Sequence, residues 1–198
     1  MVLGITGCPG SGKSLLAEVI AHQGWILVDV DRMGHEIVEQ DSGVKQNLIT
    51  AFGRDIVGND GRIERKALSR KVFTHPDNIH VLNDIVHPLL IRNMKSYIEE
   101  SRLKGENVVV DCALIFEWNI EGIFDIIVCV TADEMVRKER LRHRDGRTEK
   151  EIDGMYHAQL SEHEKSRRAD IVLMNCASIE RIKVYGLMLS ELPRYFMK

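Results

Sequence analysis

Paired cysteines are missing from this chain. Cys8, Cys112, Cys129 and Cys176 show no C-x-x-C spacing, and three of them lie in or beside apolar, strand-like runs. Buried reduced thiols in a cytosolic compartment are therefore expected. The histidines show no metal-ligand spacing, so no zinc site is predicted. No apolar stretch approaches membrane-spanning length, and the chain opens directly on a strand-like segment without the charged and apolar regions of a signal peptide. The expectation is a cytoplasmic protein that touches no membrane. Positive charge is not in excess either: 27 Lys and Arg face 30 Asp and Glu, for a formal net charge of −3. That balance argues against a nucleic-acid binder that works by phosphate neutralisation. There is no internal repeat, low-complexity segment or Pro/Gly/Ser linker, and no obligate protein partner is evident. What remains is 198 residues with 44% hydrophobic and 29% charged content. This suffices for one well-buried α/β core with an inserted helical piece, but not for two full domains.

Five short β-branched runs punctuate the sequence: Val2 to Thr6, Trp25 to Val30, Asn107 to Cys112, Asp125 to Val130 and Asp170 to Met174. Each is nearly continuous in apolar residues, as expected of parallel strands covered by helices on both faces. Between the second and third runs the spacing is too long for one crossover, and the segment reads as helices over Gly34 to Gln40, Val44 to Phe52, Arg65 to Phe73 and Pro88 to Lys104. In the last of these, Leu90, Ile91, Met94 and Ile98 form an apolar stripe. The charge-dense stretch Arg137 to Arg168 predicts a helix followed by a mobile cover.

Gly7-Cys8-Pro9-Gly10-Ser11-Gly12-Lys13-Ser14, set between the first strand and the helix-like Leu15 to Ile20, spells a complete phosphate-binding loop. Glycines let successive N–H groups point at one anion, and the following helix adds its positive end. Lys13 is placed to neutralise β- and γ-phosphates and Ser14 to hold Mg²⁺, which makes ATP and Mg²⁺ the expected cofactors. The alternative is a Gly-rich turn ending by chance in Gly-Lys-Ser, and both flanks speak against it. Pro9 removes one N–H, but at a variable position away from the amides that cradle phosphate.

Other residues keep two readings. Asp31, closing Asp29-Val30-Asp31, is either a general base for an acceptor hydroxyl or an N-cap of the next helix. Asp111, ending Val108-Val109-Val110, is either a Mg²⁺ carboxylate or an ordinary turn acid. Arg140 and Arg144 share a helix face and suit a lid that meets charge on a transferring phosphoryl group, whereas Arg137 and Arg142 read as solvated surface. His87, before Pro88 at an expected helix start, is either a structural hydrogen-bonder or a contact to an anionic substrate.

Together these segments resemble the dephospho-coenzyme A kinase family. The likeness runs through Leu3 to Ser14, Val28 to Glu39, Phe52 to Ile56, Asp60 to Leu68, Val72-Phe73, Leu82 to Leu89 and Asp111 to Glu117. It continues through Arg140-Leu141, Arg144-Asp145-Gly146, Gln159 and Arg168-Ala169-Asp170 up to Asn175. The resemblance implies a single P-loop kinase domain over 1–198, with a five-stranded parallel sheet of order 2-3-1-4-5 and helices on both faces. It also implies a helical substrate-binding insertion over 32–104 and a lid over 137–168. The implied reaction is ATP-dependent phosphorylation of the ribose 3′-hydroxyl of dephospho-coenzyme A, the last step of coenzyme A synthesis. Lys13, Asp31, Arg140 and Arg144 are then the catalytic group, and Gly7 to Ser14 with Leu15 and Asn175 the nucleotide contacts. Asp31, Arg65, His87, Leu114, Phe116 and Glu117 are the implied acceptor contacts, and Ser14 and Asp111 the metal ligands. Two positions depart from the family pattern. Cys8 stands where glycine is usual and, with Pro9, makes the loop look more like that of adenylate kinases; Ala113 stands where proline is usual. The first is expected to alter loop stiffness and the second to shift Leu114 and Phe116. Two rival functions are another small-molecule kinase, such as a nucleoside monophosphate kinase, and a nucleotide-dependent switch. Against a guanine-nucleotide switch, the chain has no N-K-x-D run.

Overall fold

The apolar run Val2–Thr6 forms β1, buried along its whole length and central in a five-stranded sheet. The computed structural model from which this follows describes residues 1–72, 74–175 and 179–196. The other strands are β2 (Ile26–Asp29), β3 (Val108–Asp111), β4 (Ile126–Thr131) and β5 (Ile171–Met174), and the sheet order is β2-β3-β1-β4-β5. All four pairings are parallel. The three inner strands are almost wholly buried, whereas the edges β2 and β5 are half exposed. Continuous apolar runs belong inside a sheet covered on both faces, so the sequence pattern follows directly from this burial. Each strand lies within a residue or so of its expected position.

The chain divides into two compact units, one of Met1–Asp29 with Ile98–Lys198 and one of Val30–Tyr97. In the first, α1 (Lys13–Ala21) follows β1, and its Leu16, Ala17 and Ile20 join Leu3, Ile5, Val109, Val128 and Val130 in the main core. The same core includes Ile182 and Leu189 of α9 (Ile179–Ser190). Gly186 lets α9 approach α1 closely: a Cβ there would lie 2.9 Å from Val19 Cβ, and closer still to one of its methyls. The stretch expected as a helix with a mobile cover is three helices, α6 (Glu134–Asp145), α7 (Glu149–His157) and α8 (Glu162–Arg168). Asp133, Thr148 and Ser161 cap them, each accepting a backbone N–H of the first turn, and Thr148 with Glu151 forms a capping box. The chain described ends with the short α10 (Pro193–Phe196).

The second unit holds α2 (Val30–Gln40), α3 (Ser42–Phe52), α4 (Arg65–Val72) and most of α5 (Pro76–Leu103). Asp41 caps α3 by accepting from Val44 N at 2.8 Å. Phe73 and Cys176, both named in the sequence reading, lie outside the described residues. Two helix starts differ from expectation. α2 begins at Val30 instead of Gly34, and α5 begins at Pro76 with Pro88 in its interior instead of at its first turn. An interior proline forfeits one helical hydrogen bond and costs about 3 kcal/mol. Burial of Val86, Leu90, Met94 and Ile98 along one stripe offsets that cost. No helix among the described residues is long and apolar enough to cross a membrane.

Candidate active site

The turn from β1 into α1 is a phosphate loop held open by its glycines. Gly10 has φ 80° and Gly12 φ 98°, both in the left-handed region that residues with a Cβ avoid. A Cβ on Gly10 would stand 2.6 Å from Arg137 O, and one on Gly12 would collide with the Asn175 amide. Gly12 is the N-cap of α1 and provides no side-chain cap, so the first-turn amides keep no partner within the helix. Gly12→Ala is expected to cost of order 1–3 kcal/mol through strain. A urea midpoint equal to wild type would contradict that account.

Two side chains hold the loop from outside. Asn175, 5% exposed after β5, donates through Nδ2 to Ser11 O at 2.7 Å. Arg140 of α6 donates to Gly10 O and Ser11 O at 3.1 and 3.3 Å, and to Asn175 O at 3.1 Å. Cys8 is buried, its Sγ facing Leu160 O at 3.9 Å, and burial pushes its thiol pKa up. Leu15 lies partly buried against the main core, and Pro9, next to Cys8 in the sequence, is half-buried.

At the head of the loop, Lys13 Nζ lies 2.8 Å from Asp111 Oδ1, with the two side chains 13% and 6% exposed. Asp111 ends β3 in register with Asp29 of β2 and Ile5 of β1. The topology thus brings the strand-end carboxylate onto the loop lysine, and Ser14 follows directly in the first turn of α1. Asp31 stands two residues past the end of β2, exposed, as the second residue of α2. The N-cap alternative is corrected: Asp31 is inside the helix, where its charge favours the positive helix end.

The basic cluster divides differently from the sequence reading. Arg137, expected at the surface, is 7% exposed; its Nε donates to Ala132 O at 2.9 Å and its guanidinium lies 4.8 Å over the Tyr156 ring. Arg144, expected beside Arg140 on a catalytic face, is 70% exposed and forks onto its neighbour Asp145 with two bonds of 2.8 Å. That pairing raises the Arg144 pKa and lowers that of Asp145. Arg140 thus faces the loop backbone, whereas Arg144 faces Asp145. Arg142 is an exposed partner of Glu149, as expected.

The acceptor residues inferred from resemblance belong to both units. Phe116 is 1% exposed beneath the Arg168 guanidinium, 4.7 Å from its ring centre, so it is a core side chain with no surface to offer a substrate. Glu117 Oε1 is occupied by Lys165 at 2.7 Å and Leu160 N at 2.9 Å. Leu114 is half-buried in the same turn. In the second unit, Arg65 opens α4 with Nη2 on His35 Nε2 at 2.6 Å. His87 is half-buried within α5, and burial lowers its pKa. Residue 113 acts through its carbonyl, which accepts from Thr6 Oγ1 at 3.0 Å; proline would present the same group.

A family model described as "CoaE: Dephospho-CoA kinase" matches residues 1–181. The chain belongs to this family. Among dephospho-CoA kinases, it is 33% identical to that of Oceanobacillus iheyensis over 186 residues, 93% of either protein. It is 37% identical to that of Mycobacterium bovis over 179 residues, which is 90% of this chain but 44% of the relative. The chain thus spans under half the length of the mycobacterial relatives it matches. A dephospho-CoA kinase structure from Campylobacter jejuni superposes with TM-score 0.74 over 99% of this chain and 98% of that one, at 18% identity. The P-loop kinase fold of the family is therefore present here, with the strand order the resemblance implied.

Proposed function

We propose that this protein transfers the γ-phosphoryl group of ATP to the ribose 3′-hydroxyl of dephospho-coenzyme A. The observation that carries the reading is the braced phosphate loop with Lys13 against Asp111 at its head, in a chain of this family. Little covalent chemistry falls to the protein in such a transfer, so positioning and charge stabilisation dominate. The first-turn amides of α1 cradle the phosphates, and Lys13 meets the γ-phosphate charge as it develops. Asp31 accepts the acceptor proton, and Arg65 and His87 of the 32–104 element, together with Leu114, are the residues assigned to the acceptor. The 137–168 helices serve as the lid. The reaction needs no nucleic acid, membrane or protein partner, and a cytoplasmic setting suits the buried free thiols Cys8, Cys112 and Cys129.

Ser14 and Asp111 suit magnesium: one hydroxyl and one carboxylate are hard oxygen donors of the type it selects, and phosphate oxygens and water complete its shell. When bound, the ion supplies neutralisation of the β- and γ-phosphate charge. Among the described residues no cluster of His, Cys, Asp or Glu offers an all-protein metal cage. Excess EDTA is expected to abolish phosphoryl transfer, and added Mg²⁺ to restore it. Full turnover in EDTA would remove Ser14 and Asp111 from the metal role.

The two arginines separate cleanly. Arg140→Ala removes three bonds from a charged donor to the loop and Asn175. Without that brace the loop drifts from its phosphate-cradling geometry, and a misplacement of about 1 Å lowers kcat/KM for ATP by roughly 10–100-fold. Arg144→Ala gives up an exposed pair that is worth about 0–1 kcal/mol and should be nearly silent. Equal losses in the two variants would restore a shared catalytic face. The reading itself is tested by acceptor dependence: ATP turnover should rise with dephospho-coenzyme A, and turnover indifferent to any hydroxyl acceptor would point to a switch instead.

A further inference from the structure

Three segments around the phosphate loop meet at one side chain that the proposed chemistry does not use. Lys165 of α8 is 0% exposed. Its Nζ donates to Ala113 O, pairs with Glu117 Oε1 at 2.7 Å and reaches Gln159 Oε1 at 3.4 Å. Glu117 Oε1 also takes Leu160 N at 2.9 Å, and Ala113 O also takes Thr6 Oγ1 from the end of β1. A buried ammonium is tolerated only when paired and hydrogen-bonded, and these acceptors come from two segments far apart in the sequence. Glu117 Oε2 is buried with no hydrogen-bond partner among the described residues, so Lys165 is the charge that neutralises this carboxylate. α8 grips the same turn a second time, since Arg168 covers Phe116 and pairs with Glu121.

We infer that Lys165 is a positioning residue: its ammonium locks the 113–117 turn to α8 and to the Gln159–Leu160 connection, so that the turn and the α7–α8 segment move as one piece. The kinetic consequence rests on the proposed function, in which the turn serves the acceptor. The phosphate loop has its own bracing from Asn175 and Arg140, and its Cys8 Sγ faces Leu160 O of this cluster at the long distance of 3.9 Å. Loosening the cluster therefore acts on the acceptor and spares ATP.

Lys165→Met alone leaves Glu117 buried and unpaired. The double variant Lys165→Met, Glu117→Gln removes both charges and keeps an oxygen for Leu160 N, so it is the variant to measure in the full chain. By hydrogen-exchange mass spectrometry, peptides covering 112–119 and 158–161 should exchange together about tenfold faster than in wild type, with α1 and β1 unchanged. In steady-state kinetics, kcat/KM for dephospho-coenzyme A should fall roughly ten- to a hundredfold while KM for ATP stays within about twofold. Unchanged exchange in either segment overturns the inference, and so does an equal rise in KM for both substrates. If the double variant does not fold, Glu117→Gln alone takes both measurements, with effects of about threefold in the same directions. A wild-type protein that leaves dephospho-coenzyme A unphosphorylated defeats the functional reading, and hydrogen exchange then still decides the coupling.

Discussion

Lys13→Ala is expected to lower kcat by about 10²–10³-fold, the loss that follows removal of one preorganised group from a developing anionic charge. Helix dipole and loop amides remain in that variant, so ATP binding should weaken less than turnover. The structure adds a consequence that motif reasoning leaves out. Lys13 neutralises Asp111, which is 6% exposed, and truncation strands that carboxylate. Breaking a buried pair typically costs ~3–5 kcal/mol, and a site at the mouth of a loop belongs toward the lower end. Urea unfolding together with single-turnover rates separates the two effects, and Lys13→Ala combined with Asp111→Asn should regain stability without regaining rate. A folded Lys13→Ala variant with near-wild-type turnover would remove the loop lysine from the chemistry.

Asp31→Asn should slow the chemical step by roughly 10²–10⁴-fold, with little change in KM for ATP. Phosphoryl transfer is largely dissociative, which places the loss toward the lower bound. Because Asp31 lies inside the first turn of α2 and not at its cap, the competing structural role is an interaction with the helix dipole. That role is worth about 0.3–1 kcal/mol and acts on stability alone. A variant with an altered unfolding midpoint and a rate within about twofold of wild type would assign Asp31 to the helix and not to catalysis.

The strands were legible because two-sided burial writes itself as uninterrupted apolar sequence: Val2–Thr6 and Val108–Asp111 are buried end to end. The phosphate loop was legible because its chemistry is local, with glycines, lysine and serine fixed relative to one strand and one helix. α5 shows the opposite case. Pro88 reads locally as a helix start, yet the apolar stripe from Val86 to Ile98 carries the helix through it. Arg137 and Lys165 were missed for a related reason. Each sits in a charge-rich helical sequence that looks solvated, and only its tertiary partners, Ala132 O and Tyr156 for one, Glu117 and Ala113 O for the other, reveal burial. Helical spacing puts Arg144 one turn from Arg140 but cannot foresee that its neighbour Asp145 takes the guanidinium. Resemblance marked Phe116 and Glu117 by position, but not that one is core and the other is held by Lys165.

Product identification tests the central claim most directly. The protein is incubated with ATP, Mg²⁺ and a mixture of dephospho-coenzyme A and nucleoside monophosphates, and every acceptor is followed by mass spectrometry. The expected result is one added phosphoryl group on dephospho-coenzyme A, at the ribose 3′ position, with the monophosphates unchanged and ADP formed in equal amount. Phosphorylation of a monophosphate in place of dephospho-coenzyme A, or ADP formed with no acceptor modified, would contradict it.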